Sequence, residues 1–224
     1  MKQNLALFDL DHTLLPLDSD YEWGRFMVRI GAYNEKEYKQ RIDDFYEQYV
    51  QGTLDPREYL AFTFSSMAKF PRRRLDAWHA MFMEEVIRPA IKPAARNLVS
   101  KHQDAGDLVA IVTATNSFIT KPIAHELGIP YILAPEPEET LMGDLTGNLA
   151  SDPTYGEGKV SRTRSWLAER GQSIESFPKS YFYSDSQNDI PLLSVVTNPV
   201  ATNPNEKLKE YAKNKGWEIL MLFE

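Results

Sequence analysis

Short apolar runs alternate with helical stripes along most of this chain, and one long helical stretch interrupts the alternation early. Leu5 to Phe8 (LALF) is an unbroken apolar run that stops at acidic residues, as a buried parallel strand would. From about Asp18 to Arg88 the period changes. YEWGRFMVRIG, EKEYKQRIDDFYEQYVQG, DPREYLAFTFSSMAKF and PRRRLDAWHAMFMEEVI each space their apolar residues at helical intervals. Gly31, Gly52 and Pro71 fall between them as caps or breaks. The Trp, Phe, Tyr and Met stripe of these helices is a packing face rather than a cofactor box.

After Pro89 strand and helix alternate again. PAARNLVSKHQDAG predicts a helix stopping at Gly106, LVAIVT a second buried strand, and SFITKPIAHELG a helix with Pro122 near its start. Tyr131 to Leu149, rich in Pro, Glu and Gly, predicts a hairpin flap around MGDLTGNL. EGKVSRTRSWLAERG predicts a helix, SYFYS a strand, and NDIPLLSVV a short helix leading to a further strand. NPNEKLKEYAKNKG is helical, and WEILML closes the series. The expected class is α/β: a Rossmann-like, doubly wound parallel sheet core with an inserted helical cap domain. Residues 1–16 and 89–224 would form the core and residues 17–88 the cap.

Composition narrows the function classes. With 224 residues, 42% hydrophobic and 25% charged, the chain resembles ordinary globular proteins rather than disordered ones. A formal charge of -7 argues against a general nucleic-acid binder, although a bound cation can reverse the sign inside a cleft. There is no cysteine, which excludes disulfides and thiolate metal sites. The opening MKQNLALFDLDHTLL is interrupted by acids too soon for a secretory signal, and no stretch is apolar for long enough to span a bilayer. A cytoplasmic protein without membrane or nucleic-acid partners is expected; oligomeric state is unreadable.

In an open parallel sheet the ligand site lies beyond the carboxyl ends of the strands, so polar residues just after each apolar run matter most. Asp9 and Asp11 follow the first strand one residue apart. Such a pair is costly unless neutralised, and a hard divalent cation such as Mg²⁺ would do so. An ionised aspartate beside a metal can attack phosphorus, and a second carboxyl can protonate a leaving oxygen. Thr113 ends LVAIVT, followed by Ala114 and Thr115, where a hydroxyl and free amides before a helix can hold phosphate. Lys159, in Tyr155-Gly156-Glu157-Gly158-Lys159, sits early in a helix and can point at an anion; the Walker pattern is absent. Ser184-Asp185-Ser186-Gln187-Asn188-Asp189 follows SYFYS. Asp185 stands where a further metal carboxylate is needed, Asp189 can support it from behind, and Asn188 offers an amide to phosphate or to Asp9. Taken singly, each motif is as well explained by a solvated turn or a helix cap. Their order after successive strands is not.

FDLDHTLL, IVTAT, GEGK and YSDSQNDIPLL together resemble the four motifs of the haloacid dehalogenase superfamily, in its phosphoserine-phosphatase-like branch with a helical cap. The resemblance covers essentially the whole chain. It implies a phosphoric monoester hydrolase with Asp9 as nucleophile and Asp11 as general acid and then base. It implies Mg²⁺ held by Asp9, the backbone carbonyl of Asp11, and Asp185. Thr113 and Lys159 would bind the phosphoryl group, with Lys159 balancing Asp9, and Asn188 and Asp189 would complete the site. Thr113 in place of serine, Ser184 in place of glycine and His12 in place of a small residue depart from the pattern without removing a catalytic group.

Substrate choice is expected in the cap. Asp18 falls about where phosphoserine phosphatases carry an acid for the substrate amine, so Asp18 or Asp20 can meet an ammonium group; capping a helix is an equal reading of Asp18. Those enzymes also carry an arginine for the substrate carboxylate, and Ala61 stands at that position, with Arg57 on another part of the helix. The lean is toward a small phosphorylated metabolite such as histidinol phosphate, an amino-alcohol phosphate without a carboxylate. Phosphoserine hydrolysis, phosphotransfer to an alcohol, and a phosphoaccepting or ligand-binding protein are the alternatives. His79, His102 and His125 are expected on the surface, and Arg72, Arg73 and Arg74 on a solvated face.

Overall fold

The computed structural model describes residues 3–51 and 53–223; Gly52, expected to break two helices, lies outside the described residues. Six parallel strands form one sheet: β1 (Leu5–Phe8), β2 (Leu108–Val112), β3 (Tyr131–Leu133), β6 (Ser180–Ser184), β7 (Asn198–Thr202) and β8 (Glu218–Leu220), in the order β3-β2-β1-β6-β7-β8. Antiparallel β4 (Pro137–Glu139) and β5 (Leu145–Leu149) make a separate hairpin. The expected flap is therefore shorter than Tyr131 to Leu149: Tyr131–Leu133 pairs with Ala110–Val112 at the edge of the main sheet.

Both faces of the sheet are covered, as a parallel sheet requires. Leu5 and Leu7 pack with Ala110, Val112 and Phe182 on one face. Ala6 and Phe8 point the other way, with Val109 and Ile111. On that side the core continues into α1 (Ser19–Arg29), α3 (Pro56–Met67) and α4 (Arg72–Phe82), through Trp23, Phe26, Phe64 and Phe82. These helices and α2 (Glu35–Gln51) lie between β1 and α6 (Pro93–Asp104). α4 runs on through a π-helical turn, Met83–Ile87, into the short α5 (Arg88–Ala90). The remaining helices are α7 (Ser117–Glu126), α8 (Glu157–Ala168), α9 (Ile190–Leu193) and α10 (Glu206–Lys215).

Two surface expectations are overturned. His79 and His102 are each only 4% exposed. A histidine can be buried where its ring nitrogens find partners. His79 Nε2 lies 2.9 Å from the Ile119 carbonyl. His102 meets Asp107 through Nδ1 at 2.7 Å and the Tyr183 hydroxyl through Nε2 at 2.9 Å. Arg72 is no free cation either, since it pairs with Asp76 and with Glu139 of the hairpin.

The strand order turns at β1, which pairs with β2 on one side and β6 on the other. Connections leave in opposite directions there, opening a crevice at the carboxyl end. Phe8 pairs with Tyr183 and with Ile111, which brings the residues after all three strands to one place.

Candidate active site

Asp9 follows β1 directly and is held by its amide, which donates to the Tyr183 carbonyl at 2.9 Å. The chain then turns so tightly that His12 adopts a φ of 56°, a left-handed conformation unfavourable for a side chain. Asn203, beyond β7, braces this turn. Its Nδ2 donates to the carbonyls of His12 at 3.0 Å and Thr13 at 3.3 Å, while its Oδ1 accepts from the amides of Leu222 and Phe223.

Around Asp9 the expected residues converge. Lys159 Nζ donates to Asp9 at 2.8 Å and to Asp189 at 2.6 Å, with all three side chains buried. Burial alone would lower the lysine pKa; the charges of Asp189 and Asp9 outweigh it and hold the ammonium above its ordinary value. Ser184 Oγ donates to Asp189 at 2.7 Å. The Thr13 hydroxyl lies 3.5 Å from Asp9 Oδ2 and 3.4 Å from Asp185 Oδ1, which brings those two carboxylates to the same group. Lys159 reaches this place because α8 starts against the loop before it. A Cβ at Gly158 would stand 2.4 Å from the Pro153 carbonyl oxygen, so only glycine allows that approach.

Asp11 is oriented from two sides. The Ser19 amide donates to one of its oxygens at 2.8 Å and the Thr115 hydroxyl to the other at 2.7 Å. Burial, and after it the charge of Asp18, pushes the Asp11 carboxyl up to about 8, which favours its protonated form. Thr113 is buried at the end of β2, and its hydroxyl accepts from the Thr115 amide at 3.1 Å. Asn188 is half-buried on the turn after β6, and its carbonyl faces Gly156 at the start of α8.

Among the described residues no three His, Cys, Asp or Glu side chains form a metal-holding group. Asp9 and Asp185, both within 3.5 Å of the Thr13 hydroxyl, are the carboxylates placed to share a cation. The charge balance fits one: Asp9, Asp185 and Asp189 face a single buried lysine. Burial, then the charges of Asp9 and Asp189, pushes the Asp185 carboxyl up to about 8. Carboxyl groups crowded on one lysine resist ionising together, and an added cation would relieve them.

The cap-side residues divide differently from expectation. Asp18 is the N-cap of α1, accepting from the amides of Asp20 at 3.0 Å and Tyr21 at 2.9 Å. Asp20 is 7% exposed and accepts from the Tyr59 hydroxyl at 2.6 Å. Ala61 is exposed, and exposed Arg57 pairs with Asp152. Thr115 and Ser184 were named from sequence without a role of their own, and Tyr59 and Asn203 were not named. Thr115 and Ser184 had a signal, standing at strand exits. Tyr59 and Asn203 had none, because only the fold brings them near the site.

Residues 6–194 match the family of haloacid dehalogenase-like hydrolases. The chain is 42% identical, over 97% of its length and 98% of the relative's, to a histidinol-phosphatase of Neisseria meningitidis serogroup C (strain 8013). A crystal structure of a protein of unknown function from Bordetella pertussis Tohama I is 46% identical, covers 100% of both chains and superimposes with a TM-score of 0.95. A substrate-bound phosphoserine phosphatase shares the fold at 18% identity, with a TM-score of 0.69 over 98% of this chain and 93% of that one. The chain belongs to the haloacid dehalogenase-like hydrolase family.

Proposed function

We propose that this phosphatase hydrolyses a small phosphate monoester through a phosphorylated Asp9, with residues 17–88 acting as a cap over the site. The observation that carries the reading is the meeting of Asp9, Asp11, Lys159 and Asp185 at the turning point of the sheet. Asp9 attacks phosphorus while Asp11, carrying its proton, delivers it to the departing alkoxide oxygen. Asp11, now ionised, takes a proton from a water that attacks the aspartyl phosphate, releasing inorganic phosphate and restoring Asp9. Lys159 and Thr113 hold the phosphoryl oxygens, with Asn188 beside them, and Asp189 keeps Lys159 charged and in place. Such a reaction depends mainly on positioning and charge stabilisation.

Asp9, Asp185 and the Asp11 carbonyl would hold Mg²⁺, which when bound supplies positive charge to the phosphoryl oxygens. The relative from Neisseria, named a histidinol-phosphatase, supports histidinol phosphate as the first substrate to try. Rapid acid quenching with a ³²P-labelled substrate, followed by peptide mapping, is expected to find label on Asp9. Label elsewhere, or none under single-turnover conditions, would remove Asp9 as nucleophile. Chelation is expected to abolish turnover and added Mg²⁺ to restore it; turnover that survives thorough chelation would remove the metal.

A further inference from the structure

A cleft of about 450 Å³ adjoins the strand-end site, and its size suits a small metabolite. His12, Ala114 and Thr115 line its inner end, beside Asp11. Ile42, Phe45, Tyr59 and Leu60, from α2 and α3, give it an apolar and aromatic wall. Two polar groups in this cleft are under-satisfied. Asp20 has one carboxylate oxygen on the Tyr59 hydroxyl, and among the described residues no cation pairs with it. The Thr154 hydroxyl, at 0% exposure, has no hydrogen-bond partner among the described residues. Burial, then the charge of Asp18, pushes the Asp20 carboxyl up to about 7, so an arriving cation would settle a charge the fold leaves unmatched.

The same cleft offers little to a second anion. Arg57 is turned away onto Asp152 and does not line it; His12 is its one basic residue among those described. Asp18 also lines the cleft, but one of its oxygens is engaged by two amides at the start of α1.

Resting on the phosphatase reading, we infer that Asp20, set by Tyr59 and aided by Thr154, is the residue that selects the leaving group. It selects an alcohol with a protonated nitrogen on an apolar or aromatic body and no carboxylate. Asp18 serves the helix and contributes little to selection.

The test compares Asp20→Asn and Asp18→Asn with wild type on histidinol phosphate, phosphoserine and p-nitrophenyl phosphate. Asp20→Asn is expected to raise KM for histidinol phosphate at least tenfold while leaving p-nitrophenyl phosphate kinetics within about twofold, a split that a general structural defect would not produce. Asp18→Asn is expected to change the ratio of the two substrates little, and wild type to discriminate against phosphoserine. Calorimetric titration of histidinol itself, which needs no chemistry, separates this inference from the reaction: wild type is expected to bind it at least tenfold more tightly than Asp20→Asn does. Equal histidinol affinity in wild type and Asp20→Asn overturns the inference even if hydrolysis is confirmed. So does a larger selectivity change in Asp18→Asn, or parallel losses on all three substrates. Selective histidinol binding without hydrolysis would keep Asp20's role and refute the phosphatase reading alone.

Discussion

The strand-end cluster and the cleft beside it satisfy their polar groups in opposite ways. At the strand ends, Asp9, Lys159, Asp189 and Ser184 answer one another within hydrogen-bonding distance, so the geometry exists before any ligand arrives. In the cleft, Asp20 leans on a single phenol and Thr154 on nothing described. A pre-built centre suits a reaction whose transition state is the same for every phosphate ester. A site with open valences suits the part of the substrate that varies. The proposed division of chemistry from selection predicts that mutations of Asp9 and of Asp20 spare each other's function.

The strongest way to break that comparison is to remove Asp9, the proposed nucleophile. Asp9→Asn is expected to lower kcat by roughly 10⁴-fold or more, with histidinol affinity by calorimetry retained. If histidinol binding fell as steeply, the two regions would not be independent. Lys159→Ala comes next, because it leaves two buried carboxylates without their cation. Denaturant unfolding is expected to register a loss of about 3–5 kcal/mol. A loss below 1 kcal/mol would show that the cluster is not pre-built. Gly158→Ala should cost less: the Pro153 carbonyl must move, with roughly 1–3 kcal/mol lost in the same assay and a fall in kcat from a displaced Lys159.

The mildest effect is a pH dependence in the cleft. Asp20's carboxyl is raised from its ordinary 3.8 to about 7 in the folded chain, so the fold favours its protonated form. Its contribution to stability is therefore full below pH 4 and is lost progressively as pH rises to 7. Asp20→Asn removes that slope, and above pH 7 the variant is expected to exceed wild type by roughly 1–3 kcal/mol. Parallel unfolding profiles from pH 4 to 8 would contradict this account of Asp20.

The sheet and the convergence of residues at its strand ends were largely legible in sequence, and for one reason. LALF and LVAIV are apolar runs too short for helices and unbroken enough for strands buried on both faces, and the residues that follow them inherit a fixed address at the carboxyl end. Asp9, Thr113 and Asp185 could be placed that way. Helix stripes carry no comparable address. They say that Trp23 and Phe64 are buried, but not that Tyr59 will reach Asp20 across 39 positions of chain. His79 and His102 were misjudged on the same grounds, since their partners Ile119 and Tyr183 lie on elements remote in sequence. Tyr131–Leu133 went to the sheet rather than the hairpin because an open edge at β2 was available to pair with it.

Asn203 ties the last residues of the chain to its first turn. A change that displaces Leu222 or Phe223 would therefore act at a distance, reaching through one amide group the loop that aims Asp9.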